Sequence, residues 1–97
     1  MITYYSDIVR EVMESITPEE RALSNLTDSI AARIDMLMKR KNISKSQLAK
    51  MTGHRPSEVT KWLGGGHNFT CKTLVLIEQA LGEDLIRVVT HRKRRET

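Results

Sequence analysis

The stretch GHRPSEVTKWLGGG, Gly53 to Gly66, constrains the fold more than any other part of the chain. A proline opens a helix at no cost, because the first N–H has no partner there, but it breaks a helix from within. The helix therefore starts at Pro56, and the glycines Gly64–Gly66 stop it after Leu63. At about 100° per residue, Val59, Trp62 and Leu63 share one side, with Ser57, Thr60 and Lys61 roughly 160° away. Just upstream, ISKSQLAKM starts a second brief helix, with Ser44 and Gln47 as a capping box. Its inward residues are Leu48, Ala49 and Met51. Gly53, in Thr52-Gly53-His54, is free to take a positive φ and turn the chain between the two helices. Two short helices joined by a glycine turn, after a longer one, form the helix-turn-helix pattern.

The remaining elements follow from similar punctuation. Thr17 and Glu20 make a capping box, with Pro18 at the first helical position. The helix they open runs to about Lys41, with an apolar stripe of Leu23, Leu26, Ile30, Ile34 and Leu37. It ends in KRKN, basic residues that complement the helix dipole. Before it, Ser6–Ser15 reads as a short helix with Ile8, Val9, Val12 and Met13 on one face. A last helix runs from about Cys71 to Leu81, between an N-cap at Thr70 and a glycine at Gly82. Leu74, Ile77, Ala80 and Leu81 face inward. In DLIRVV a strand and a final helical turn both fit, and β-branching favours a strand at 85–89. The tail HRKRRET is expected to be disordered. The expected fold is thus all-α, a bundle of five helices with the helix-turn-helix at about 45–63. Residues 1–25 form an N-terminal extension, 26–90 the main domain and 91–97 a basic tail.

Composition limits the function classes. The 97 residues suffice for one small domain. With four aromatics, the core must be mostly aliphatic, which suits helix-on-helix packing. No apolar run can span a bilayer, and MITYYSDIVRE shows no signal-peptide pattern. One cysteine, Cys71, excludes an internal disulfide and fits a cytoplasmic location. Residues 1–35 hold seven acids and three bases, whereas residues 36–97 hold five acids and thirteen bases. Between Met36 and Ile77, Glu58 is the single acid among eight Lys and Arg. That basic half is either a solvated surface or the site of a polyanion. The exposed side of the second short helix favours the latter. Small hydrogen-bonding groups and one cation, opposite a packed face, are what reading base edges in a major groove requires.

From about Thr27 to Gly82 the chain resembles the Cro/phage-repressor (XRE) helix-turn-helix family. The resemblance is carried by ISKSQLAKMTGHRPSEVTKWLGGGHNFTCKTLVLIEQALG. It rests on Ser44 to Ala49, on Gly53, on Val59 and Trp62, and on Leu74 to Gly82. The resemblance implies a lambda-repressor-like bundle and a DNA-binding repressor. By it, Pro56, Ser57, Thr60 and Lys61 occupy base-facing positions, while Lys45, Arg55, His67 and Asn68 occupy phosphate-facing ones. Lys61 can donate to guanine O6 or N7, and the Thr60 methyl can meet that of thymine. One departure is Arg55, which stands where the family often places a Ser or Thr cap. RPSEVTKWLGGGHNFT, with its SITPEE lead-in, is similar to antitoxins of HigA-type toxin–antitoxin operons. That similarity implies a RelE-like toxin partner, for which the acidic N-terminal third is a plausible docking surface. The alternative is a stand-alone phage-type repressor.

Since one recognition helix reads few base pairs, a homodimer on two half-sites of double-stranded operator DNA is expected. Trp62 could stack on bases, but its side of the helix marks it as core. Glu58 either reads a cytosine N4 or, near a helix start and near Arg55, has a dipole-stabilising or salt-bridging role. His54, His67 and His91 lack metal-ligand spacing, and no cofactor is expected. Nothing resembles an enzyme's acid–base pair, nucleophile or phosphate loop.

Overall fold

The computed structural model describes residues 15–89. The expected helix at Ser6–Ser15, apart from Ser15 itself, with its Ile8–Met13 face, and the basic tail 91–97, lie outside the described residues. Four helices lie wholly within them: α1 (Pro18–Lys41), α2 (Lys45–Thr52), α3 (Pro56–Leu63) and α4 (Cys71–Leu81). They are the long helix, the two short helices and the last helix expected from the sequence.

Local hydrogen bonds set nearly every boundary. At α1 the capping box closes in both directions: the Glu20 N–H donates to Thr17 Oγ1 at 3.0 Å, and the Thr17 N–H to Glu20 Oε1 at 2.9 Å. Asn42 ends the helix in the left-handed region (φ 57), donating to the Lys39 carbonyl, while the Ile43 N–H reaches the Met38 carbonyl. The α2 box, Ser44 with Gln47, forms the same way, at 2.7 and 3.1 Å. Gly53 (φ 74) ends α2, with the His54 N–H returning to the Ala49 carbonyl at 2.8 Å. That return bond sets the angle at which the chain leaves α2 for α3.

The core joins Ile30, Ile34, Leu37 and Met38 of α1 to Leu48 and Ala49 of α2, Val59 and Trp62 of α3, and Leu74, Ile77 and Leu81 of α4. Leu85 closes one end. Burying each large side chain of this set contributes roughly 1.5–3 kcal/mol, before the entropy of ordering the chain is subtracted.

Three expectations need correction. Leu23 and Leu26, assigned to the inward stripe of α1, are 47% and 54% exposed. The 24-residue α1 is about 36 Å long, at about 1.5 Å per residue, and its partners have only 8, 8 and 11 residues. They cover it only from Thr27 onward. Met51, expected inside, is exposed, and Thr52 is buried instead. Thr52 lies four residues from Leu48, on the same helical face, and its hydroxyl donates to the Leu48 carbonyl at 2.9 Å. Finally, no strand forms at 85–89. The N–H groups of Leu85 and Ile86 donate to Glu78 Oε2 at 2.7 and 3.2 Å, so a side chain of α4 takes donors that a strand would need. Leu85 is buried, whereas Val88 and Val89 face solvent.

Candidate nucleic-acid interface

The recognition-helix candidate α3 is held by one side. Val59 is 0% and Trp62 3% exposed, and Leu63 is half-buried against the core. The opposite side carries Ser57, Thr60 and Lys61, all exposed, with Pro56 and Arg55 exposed at its start. The separation read from the wheel is therefore present in three dimensions. The Thr60 hydroxyl donates to the Pro56 carbonyl at 3.1 Å. The residue itself remains exposed.

The start of α3 is built differently from those of α1 and α2. Arg55 has no acceptor on its side chain and makes no side-chain cap. Only the reciprocal half of a capping box forms, with the Arg55 N–H donating to Glu58 Oε1 at 2.9 Å. The Arg55 carbonyl in turn accepts from the N–H groups of Glu58 and Val59, at 2.9 and 3.2 Å. Glu58 thus stabilises the helix start, one of its two expected roles, and the Arg55 guanidinium is left free of that task.

Trp62 is fixed from the turn between α2 and α3. The His54 ring meets it edge-on, with centroids 5.1 Å apart and planes at 72°. His54 Nδ1 lies 2.9 Å from the Thr52 carbonyl; an acceptor there requires the proton on Nδ1. This packing role of His54 is not legible in the sequence, because its two contacts depend on the turn geometry.

Lys61, His67 and Asn68 come together around one cleft of ≈ 290 Å³, which His54, Glu58 and Thr73 also line. Asn68 is exposed, and half-buried His67 packs edge-on against Phe69 at 4.8 Å. Lys45, at the first position of α2, is exposed and lies outside this cleft, as do Arg55, Pro56, Ser57 and Thr60.

Charge reinforces the asymmetry. The ion pairs among the described residues are Asp35–Lys39, Glu83–Lys41 and Asp84–Arg87. None involves Lys45, Lys50, Arg55 or Lys61. Among the described residues these cations stand without a carboxylate partner on and around the two short helices, and so retain their full attraction for an anionic partner. Among the described residues no group of His, Cys, Asp and Glu could hold a metal ion, and no helix is long and apolar enough to cross a membrane.

A second feature escapes sequence reading. Asp28, on α1, accepts from the Gly66 N–H at 3.1 Å, across 38 positions of chain. The triple glycine is a sign that backbone passes close to something, but not to what.

No curated protein and no solved structure matches the chain. The profile of the Cro/C1-type HTH DNA-binding domain matches residues 33–86, more than half of it, from the middle of α1 through the helix-turn-helix to the segment after α4. Helix order, the glycine turn at Gly53 and the one-sided anchoring of α3 agree with that match, and the chain belongs to the Cro/C1-type helix-turn-helix DNA-binding family.

Proposed function

We propose that the protein is a sequence-specific transcriptional repressor that binds operator DNA as a symmetric homodimer, with residues 26–90 as the DNA-binding unit. One observation carries the reading. The exposed side of α3 offers Ser57, Thr60 and Lys61, while Val59 and Trp62 hold its other side rigidly in the core. Short side chains let the helix approach the base edges, and Lys61 supplies the donor for guanine. Pro56 enters the groove at the helix start. Lys45, Arg55, His67 and Asn68 bind the flanking phosphates and orient the helix. A dimer places two copies of α3 about 34 Å apart or a multiple of that, one per half-site.

Operator binding by two variants tests this. Lys61→Ala should relax preference at one base-pair position, costing about 1–3 kcal/mol there. Lys45→Ala should weaken all sequences alike and reduce the slope of log K against log salt by about one. Unchanged operator affinity in both variants would reject the proposal.

The acidic N-terminal third supports a second role, as antitoxin to a RelE-like toxin. Residues 1–35 carry an excess of acids over bases, complementary to a basic ribonuclease. In that reading the protein represses its own operon. In the alternative it is a stand-alone phage-type repressor with no toxin partner.

A further inference from the structure

We infer that Asp28 is a positioning residue for DNA binding: it holds the loop after α3 so that His67 and Asn68 meet the phosphate backbone. The inference rests on the DNA-binding role proposed above for that loop. Two contacts of adjacent glycines meet at one oxygen atom. Asp28 Oδ1 accepts the Gly66 N–H at 3.1 Å. A Cβ added to Gly65 would lie 2.8 Å from that same oxygen, closer than real Cβ atoms come. Gly65 (φ 83) is glycine for its backbone conformation, and a Cβ there would in addition push the Asp28 carboxylate off its present position. Gly66 (φ 71) has open space where a Cβ would stand and needs only the conformation. The surface of α1 beside Gly64 and Gly65 includes Ala31 and Ala32, small enough for the backbone to come near.

The loop is pinned at its far end as well. Phe69 packs on the core, and the His67 ring rests edge-on against it. His67 and Asn68 thus lie between two anchors, Asp28 on one side and Phe69 on the other. An aspartate is a costly choice beside a polyanion, because its charge opposes the phosphates it helps to engage. Its carboxylate oxygen is retained here as a fixed acceptor for a backbone donor. Asparagine would supply the acceptor without the charge.

The test is the affinity of the full-length protein for an operator duplex, by fluorescence anisotropy, with circular dichroism to normalise for folded protein. Asp28→Ala should weaken binding about fivefold, the equivalent of one net hydrogen bond. Asp28→Asn should bind within about twofold of the parent, or more tightly. In a His67→Ala/Asn68→Ala background, Asp28→Ala should have no further effect, since it acts through those side chains. Parent-like or tighter binding by Asp28→Ala overturns the inference, as does equal weakening by Asp28→Asn, or a full additional loss in the double-variant background. A parent-like affinity of His67→Ala/Asn68→Ala, with Lys61→Ala still defective, would reject the loop contact and Asp28's role with it. Parent-like affinity in every variant, Lys61→Ala included, would reject the DNA-binding proposal itself.

Discussion

Glu58 offers the sharpest test of how the recognition helix is held. Its Oε1 accepts the Arg55 N–H at 2.9 Å, and Arg55 returns no side-chain bond to the helix. Removing the carboxylate by Glu58→Ala should cost about 1 kcal/mol for a hydrogen bond to a charged, partly exposed acceptor. The lost negative charge in the first turn adds about 0.5 kcal/mol through the helix dipole. The sum, about 1.5 kcal/mol, should lower the melting temperature of a domain this size by about 6–12 °C. Glu58→Gln keeps an acceptor and loses only the charge, so about 0.5 kcal/mol is expected. Urea and thermal unfolding followed by far-UV circular dichroism would measure both. DNA affinity should move the other way. Glu58 is the single acid between Met36 and Ile77, and its removal strengthens attraction to phosphates for the fraction that is folded. If Glu58 instead read a cytosine, its loss would remove about 1–3 kcal/mol of discrimination at one base pair and leave stability unchanged. An unshifted unfolding midpoint in Glu58→Ala, or equal destabilisation by the glutamine variant, would refute the capping account.

Other expectations follow from the same packing. Trp62→Ala should destabilise the domain by about 3–5 kcal/mol, whereas a Trp62 that stacked on bases would lose affinity and keep its unfolding midpoint. Replacing Leu48, which is fully buried, by Ala should cost about 2–5 kcal/mol, while the same change at exposed Leu23 should cost far less in the isolated chain. Equal losses at the two positions would contradict the packing of α1. Deleting residues 1–17 should abolish co-purification with a RelE-like toxin while preserving operator binding; retained co-purification would exclude the N-terminal segment as the docking site.

The helix boundaries were legible because the interactions that set them are local. Thr17 with Glu20, Ser44 with Gln47 and Thr70 with Thr73 each span three positions, and Gly53 and Gly82 act on their own backbone. The two faces of α3 were legible for the same reason, since a regular helix converts spacing into direction. Arg55 was recognisable as a departure from a cap, but the remedy was not: Glu58, read with two possible roles, supplies the half of the box that Arg55 cannot.

What only the tertiary structure decided depends on which distant segments meet. Periodicity marks Leu23 and Leu26 as apolar without saying whether α2, α3 and α4 are long enough to cover them. It offers residues 85–89 as a strand without showing that Glu78 takes the N–H groups of Leu85 and Ile86. It shows three glycines without showing Asp28 above them. The sequence by itself determined the four helices of the described residues, their order and the outward side of α3, because backbone geometry and short-range hydrogen bonds suffice for those. The structure decided how the loop carrying His67 and Asn68 is held, because that contact joins residues 38 positions apart and exists only once α1 and α3 have packed.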